Sequence, residues 1–301
     1  MFDLNLVRLF LFLAKVKNMN LAARKLGVTP PALSHRIKAL EDHVGYTLFL
    51  RKRTGMELNS KGKEFYDVCK DFALSTKQVE NWISGQQGRT AGTVTLTVLG
   101  GLAGYLLPDF LGPFAKKYPD IKIIIDTVLG SANVEDKIIQ GDSDIGVIAG
   151  SCQKPSLKVK KIIDNNYLML VYSKDYSPQK KLSKKDLNQV RFIWHGLSSD
   201  RSRMALMKSL KIKIKDEEDS ITLPDMTATK QMALKGLGVA YIANIYVHTE
   251  IKKKELYVIP GVSLKRPLNL ISRNEKYISP ALIKFKEEFV KYCEQVDDTI
   301  A

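Results

Sequence analysis

Between Asn20 and Arg51 the chain reads NLAARKLGVTPPALSHRIKALEDHVGYTLFLR, and the side chains able to do chemistry there are hydrogen-bond donors. Ser34, His35, Arg36 and Lys38 fall close together, and Arg51, Lys52 and Arg53 follow as a second basic group. Donors of this kind suit phosphate oxygens and base edges, which is the chemistry of nucleic-acid reading. Elsewhere the reactive residue types are dispersed. The histidines (His35, His43, His195, His248) are scattered, and the sequence has no metal-ligand spacing, no phosphate loop and no nucleophile elbow. Gly236-x-Gly238 is a lone fragment of a dinucleotide fingerprint, wrongly placed to open a crossover helix. No metal, no cofactor and no enzymatic activity is expected.

Donors that read a duplex must be held by short, rigid elements. Asn20 reads as the N-cap of a helix from Leu21 to Leu26, Gly27 as its left-handed stop, and Thr29 as the cap of the next helix, with Pro30 and Pro31 in its first turn. Ala22, Ala23 and Leu26 share one face, as do Leu33, Ile37, Leu40 and Val44, so two helices cross over a small core. The opposite face of the second helix presents Ser34, His35, Arg36 and Lys38 from its N-terminal half. The helix stops at Gly45. Leu48 and Phe49 then anchor a segment to the core, and the basic run leads into the turn signal Thr54-Gly55 before Glu57 and Leu58, a basic hairpin or wing.

This segment resembles the winged helix-turn-helix of the LysR-type transcriptional regulators. The resemblance is carried by Ala22-Ala23, the run from Val28 to Ser34, Leu40-Glu41, Gly45, and Leu48 to Arg51. Thr29 stands where serine is usual, and Pro30 where a glutamine often reaches a base edge or the backbone. Pro30 has no side-chain donor, so that contact does not carry over. The DNA-facing residues expected here are Thr29, Pro31, Ser34, His35, Arg36, Lys38, Arg51, Lys52 and Arg53.

A chain of 301 residues exceeds one typical domain, and 45% hydrophobic with 26% charged residues is an ordinary globular composition. The net charge is +15, and residues 1–58 hold ten Lys/Arg against four Asp/Glu, so +6 of it lies with the reader. The apolar run from Leu4 to Val16 is preceded by Asp3, interrupted by Arg8 and followed by no small-x-small cleavage site, so it reads as a buried first helix and not a signal peptide. At about a dozen residues it is too short to span a bilayer. A cytoplasmic protein with reduced thiols at Cys69, Cys152 and Cys293 and no membrane partner is expected.

From Ser60 to Trp82 there is no proline, and Phe65, Cys69, Phe72, Thr76, Val79 and Ile83 recur in steps of four and three. Such a stripe pairs with a copy of itself or packs on its own chain. The resemblance favours pairing, since LysR-type proteins dimerise their DNA-binding domains through a linker helix here. GQQGRTAG, from Gly85 to Gly92, reads as a hinge.

Beyond Gly92 strands and helices alternate. Strands are expected at Thr93–Leu99, Ile121–Val128, Asp144–Ile148, Leu168–Tyr172, Arg191–Trp194, Ser220–Leu223, Val239–Ile242 and Pro267–Ser272. Helices are expected at Leu102–Lys117, Val134–Gln140, Ser202–Leu210, Ala228–Leu237 and, capped by Ser279, Pro280–Gln295. This is the rhythm of parallel sheets with right-handed crossovers. The region resembles the LysR-type effector-binding domain, itself similar to periplasmic solute-binding proteins, through Tyr105-Leu106-Leu107-Pro108, Phe114 with Tyr118-Pro119, Gly141-Asp142 with Asp144-Ile145-Gly146, and Gly236 to Ala240. The proline that often follows the last of these motifs is absent, Asn244 standing nearby.

The expected fold is therefore α/β: a winged helix-turn-helix (1–58), a linker helix with hinge (59–91) and a two-subdomain effector-binding domain (92–301). Subdomain I covers 92–161 and 267–301 and subdomain II covers 162–266, with chain crossings near Lys158–Asp164 and Val262–Arg266.

In doubly wound sheets ligands bind beyond the strand C-termini, where helix N-termini offer unpaired N–H groups. That rule selects Gly100, Gly101, Leu102, Gly130, Ser131, Ile148, Trp194, His195, Ser198 and Thr227, with Arg201 and Arg203 as counter-charges to an anion. The partners implied are double-stranded DNA, a second copy in a homodimer or homotetramer, a small-molecule effector and, for an activator, RNA polymerase. The effector region offers only Cys152 and Cys293 for a disulfide, one after a core strand and one in the last helix. Peroxide should accordingly leave DNA binding unchanged; a change that Cys152→Ser removes would overturn this.

Overall fold

The carboxylate of Asp3 accepts a hydrogen bond from the Asn5 amide at 2.9 Å and opens α1 (Leu4–Val16), which turns Val7, Phe10, Leu13 and Ala14 inward. The structure, a computed structural model, describes residues 3–53, 55–86, 90–195, 201–210 and 220–300, and the chain divides into two units at 86/87.

In the first unit Lys17 takes a left-handed conformation (φ 55°) to end α1, leaving Asn18 extended. Asn18, and not Asn20, is therefore the residue whose side chain meets the Leu21 amide, at 2.9 Å, and α2 (Met19–Leu26) begins two residues before its expected start. Gly27 (φ 69°) ends α2. The Thr29 hydroxyl accepts from the Ala32 amide, at 3.3 Å, to open α3 (Pro30–Val44), with proline at its first position as expected. Gly45 (φ 79°) ends it. The wing pairs β1 (Phe49–Lys52) with β2 (Gly55–Leu58), Phe49 opposite Leu58. Thr54, at the tip of the expected turn, lies outside the described residues.

α4 (Ser60–Gln86) is one helix. Its first part closes the core, where the Phe10 ring meets Phe49 at 5.4 Å, Phe65 at 5.1 Å and Tyr66 at 6.3 Å.

The second unit holds two five-stranded sheets. In the first, β3 (Gly92–Leu99) runs parallel to β4 (Ile121–Val128) and β5 (Ile145–Ala149), with α7 (Ser131–Ile139) crossing between the latter two. The expected long helix after β3 is broken into α5 (Gly100–Leu106) and α6 (Pro108–Lys117), because Pro108 has no amide hydrogen with which to continue the ladder. β6 (Leu157–Ile163) follows β5 without a helix between them.

The second sheet is built from β7 (Tyr167–Ser173), β8 (Phe192–His195), β9 (Ile221–Leu223), β10 (Val239–Ala243) and β11 (Leu256–Lys265), with helices α8 (Arg201–Leu210), α9 (Met226–Leu234) and α10 (His248–Lys252) between strands. The chain returns through β12 (Leu268–Arg273) and ends in α11 (Pro280–Ile300). Its core packs Trp194 on Phe192, stacked with centroids 4.6 Å apart, and edge-on to Tyr241.

The sheets are mixed, not parallel as the alternation suggested. β12 lies between β5 and β6 and antiparallel to both, and β7 is antiparallel to β10 and β11. The reason is the double crossing: the chain leaves the first sheet along β6, so the strand that returns beside it must run the other way. β6 and β11, the strands next to the crossings, were not recognised in the sequence as strands.

Two residues of the motif from Gly141 to Gly146 prove to be packing devices. A Cβ on Gly146 would lie 2.4 Å from Val134 Cγ1, so glycine lets α7 settle on β5. The carboxylate of Asp144 accepts from the Thr95 amide at 2.8 Å, and the Arg273 guanidinium donates to the carbonyls of Ile138 (2.6 Å) and Ser143 (2.8 Å).

Two glycines of α4 make opposite predictions. Alanine normally stabilises a helix over glycine by up to about 1 kcal/mol, and a Cβ at Gly85 meets nothing within 4 Å. At Gly62 the same Cβ would stand 2.0 Å from the Leu48 carbonyl oxygen. Urea melts should show Gly85→Ala neutral or stabilising and Gly62→Ala destabilising by about 1–3 kcal/mol.

Candidate nucleic-acid interface and ligand cleft

α3 presents a polar surface because its buried face is fully committed. Leu33, Ile37 and Leu40 are at most 4% exposed, so the residues between them must face out. His35, Arg36 and Lys38 are exposed on the described surface, as are Thr29 and Pro31 at the start of the helix. Ser34 is half-buried, and its hydroxyl accepts a hydrogen bond from Arg51 Nη2 at 3.1 Å, which ties the wing to the helix. Between helix and wing lies a groove of about 520 Å³ that includes Ser34, Lys38 and Arg51 in its lining.

Lys52 pairs with Glu57 across the wing at 2.6 Å, and this partner holds the Glu57 carboxyl below its usual range. Arg53 is exposed at the turn. Sequence reasoning missed Glu41. Its Oε1 accepts from the amides of both Leu48 (2.6 Å) and Phe49 (3.2 Å) and so fixes where the wing leaves the helix.

The linker stripe divides in two. Cys69 is buried in its own unit's core, and Phe65 and Phe72 pack at its edge, so this half serves the chain's own fold. Thr76 is half-buried and donates its hydroxyl to the Phe72 carbonyl at 3.0 Å. Val79 and Ile83 are exposed, as are Val68 and Trp82, which the four-three spacing had not selected.

In the second unit a cleft of about 870 Å³ lies between the two sheets. Of the residues chosen in the sequence, Leu102, Gly130, Ser131 and His195 line it. The Ser131 hydroxyl is held by the Ala149 carbonyl and amide, each at 3.2 Å.

Six selected residues do not line the cleft. Trp194 is fully buried, with the Arg203 guanidinium 4.6 Å above its ring, so both serve the core of the second subdomain. Ile148 is buried against Val134 and Ile138 beneath α7. Thr227 is exposed, and its helix end is already met by Asp225, whose carboxylate accepts from the Ala228 amide at 2.9 Å. Gly100 forms no part of the lining. Gly101 makes room for a tyrosine instead, since its Cβ would fall 2.8 Å from Tyr246 Oη. Ser198 and the side chain of Arg201 lie outside the described residues.

Sequence reasoning missed Glu135, Asn166, Met226, Tyr246, Lys265 and Arg266 in the lining. Tyr246 rests edge-on against Tyr105, centroids 4.8 Å apart, and burial pushes its phenol above the ordinary range. Lys265 is drawn away by Asp164 at 2.8 Å, while Arg266 Nε donates to the Ala149 carbonyl at 3.4 Å.

The thiols are held protonated. Burial pushes Cys69 up to about 11 and raises Cys152 and Cys293 as well. Among the described residues no group of acidic, histidine and cysteine side chains could hold a metal ion, and no helix is long and apolar enough to cross a membrane.

A helix-turn-helix with a basic wing, a long helix after it and a two-sheet α/β domain with a cleft are the parts of a helix-turn-helix regulator of two domains. Residues 4–63 match the family of bacterial regulatory helix-turn-helix proteins of the lysR type, and residues 87–294 match the LysR substrate binding domain. The chain belongs to the LysR-type transcriptional regulators.

It is 27% identical over 299 residues to a probable RuBisCO transcriptional regulator of Trieres chinensis, covering 95% of this chain and 96% of that one. Its fold is similar to a full-length OxyR variant from Pseudomonas aeruginosa (TM-score 0.72, 17% identity, 97% and 95% of the two chains). It is also similar to Vibrio fischeri DarR solved in complex with DNA (TM-score 0.57, 20% identity, 96% and 99%).

Because Ser131 begins α7 at the cleft wall, Ser131→Trp fills the cavity. In a thermal-shift screen of small metabolites, any compound that raises the melting temperature of the parent should fail to raise that of the variant; equal shifts would place binding outside the cleft.

Proposed function

We propose that this LysR-type regulator binds specific duplex DNA sites as a paired molecule, through α3 and the wing of each copy, and that a small molecule in the cleft of the second unit alters that binding. The observation that carries the reading is the exposed row His35, Arg36 and Lys38 on α3, braced by the Arg51–Ser34 hydrogen bond from the wing. A helix in the major groove needs donors that do not wander, and that bond fixes the wing's arginine relative to the helix. That DarR, whose fold is similar, was solved in complex with DNA supports DNA binding by this chain.

Pairing is supported by the apolar strip left exposed on α4. Val79, Trp82 and Ile83 are each between 45% and 58% exposed, and one helix face carrying such residues is covered economically by a copy of itself. Two copies present two reading helices, so the operator should be partly palindromic. The site of action is the cytoplasm, and an activating role would bring RNA polymerase as a further partner. Catalysis forms no part of the proposal, since the relatives are named transcriptional regulators.

The test is selection of bound genomic fragments followed by affinity measurement on the recovered site. Affinity should fall steeply with salt, as phosphate contacts release counterions. Replacing Ser34, Arg36 and Arg51 together with alanine should abolish binding while leaving the urea melt unchanged, because all three lie outside the core. Retained site-specific binding by the folded triple variant would overturn the assignment of α3 and the wing.

A further inference from the structure

We infer that the occupant of the cleft is a small zwitterion of the amino-acid class, its positively charged hydrogen-bond donor received by Glu135 and Asn166 and its anionic group by the start of α7 beside Arg266. The inference rests on the proposed ligand-binding role of the cleft and names the chemistry of what binds there.

Two buried acceptors in the lining are under-satisfied. Glu135 is 1% exposed; its Oε1 accepts from the Gln153 amide at 3.1 Å, and its Oε2 meets no N–H or O–H donor. The Cys152 thiol, held protonated chiefly by burial, turns its hydrogen to the Glu135 carboxylate, and an S–H group is only a weak donor. Asn166 is 2% exposed. Its amide nitrogen donates to the Arg266 carbonyl at 2.8 Å, which fixes the amide orientation, because a carbonyl can only accept. Its Oδ1 is left without a partner. Buried acceptors without strong donors cost free energy, and two of them lining one cavity call for a ligand that donates.

The other end of the cleft wall has the opposite character. α7 begins at Ser131 after Gly130, which has no side chain to cap it, so the first amides of a nine-residue helix are offered to the cavity. The Ser131 hydroxyl and Arg266 Nε both bond the Ala149 carbonyl, at 3.2 and 3.4 Å, which brings a guanidinium to the same helix end. This end suits a carboxylate.

The two characters are close together. Ser131 and Glu135 are four apart on α7, hence on one face and about 5–6 Å apart at Cβ, and helical side chains lean toward the N-terminus. A simple anion at the helix start would sit within a turn of the Glu135 carboxylate. A simple cation at Glu135 would face the helix terminus and Arg266. A molecule carrying both charges a few bonds apart satisfies both ends.

The experiment is calorimetric titration of the full-length protein with each of the twenty common amino acids, then with the corresponding amine and des-amino acid of any that bind. At least one amino acid should bind, and both of its truncated forms should bind at least about tenfold more weakly, as expected when one partner of a buried charged pair is removed. Glu135→Gln keeps the shape and the bond to Gln153, and should remove the preference for the amino acid over its des-amino form. Ser131→Trp should abolish the titration altogether.

A des-amino acid that binds as well as its parent, or a preference that Glu135→Gln leaves intact, overturns the zwitterion while leaving the cleft as a ligand site. Failure of all twenty amino acids to bind at millimolar concentration overturns it too. Should Glu135→Gln not fold, the comparison of parent and truncated ligands on the unmodified protein decides alone. Operator binding is measured separately, so loss of the zwitterion does not bear on the DNA-reading assignment.

Discussion

The chain passes between the two sheets of the second unit only twice, after β6 and before β12, and everything about the cleft depends on how those passages satisfy their backbone groups. An extended segment leaving a sheet takes unpaired N–H and C=O groups with it, and in a buried place each must find a partner. Asn244, 6% exposed, supplies three bonds: it accepts from the Tyr167 amide at 2.9 Å and donates to the carbonyls of Asn165 (2.7 Å) and Ile300 (3.3 Å). Asp297 accepts from the Asn165 amide at 2.7 Å, and the Arg266 amide donates to the Asn166 carbonyl at 2.8 Å. The last helix therefore belongs to the first sheet by packing and to the crossings by hydrogen bonding. Asn244 thus ties the first passage to the end of the last helix.

The first unit solves a related problem with left-handed stops. Lys17, Gly27 and Gly45 each end a helix sharply, so three helices fit over one small core. The wing is then fixed at two places. Glu41 holds its root, and the Lys17 carbonyl accepts the Met56 amide at 2.8 Å at its far strand. Gly55 (φ 132°) stands where a Cβ would be 2.3 Å from that same carbonyl oxygen, which is why the turn accepts only glycine. A basic hairpin anchored in this way loses little conformational freedom when it meets a phosphate backbone.

What could be read in the sequence was local. Thr29, Pro30 and Gly45 announce the reading helix because caps and stops act within a few residues, and the buried trio Leu33, Ile37 and Leu40 follows from a period of 3.6. Asn18 lost to Asn20 in the reading because the left-handed turn at Lys17, which sets the start of α2, requires no glycine and leaves no mark. Ser131 and His195, selected by the rule that ligands gather past strand ends, line the cleft. Trp194 and Ile148, selected by the same rule, are buried instead, because a residue one step inside a strand covered by packing is core, whatever its chemistry. Glu135, Asn166 and Arg266 were invisible, since what singles them out is contact across long stretches of chain: Asn166 with Arg266, and Arg266 with Ala149.

These contacts also indicate where a ligand can act on the fold. A ligand shifts an equilibrium only by its differential affinity for two states, so the groups it touches must include some that move relative to one another. Ser131, Glu135 and Ala149 belong to the first sheet's layer, whereas Asn166 and Arg266 sit on the two crossings. A molecule bridging the start of α7 to the crossings binds parts whose separation depends on the angle between the sheets. The Asn166 amide is already committed to one crossing through the Arg266 carbonyl, so a donor placed on its free oxygen joins ligand, both crossings and α7 in one network. The affinity of such a ligand and the setting of the two sheets are then a single coupled quantity.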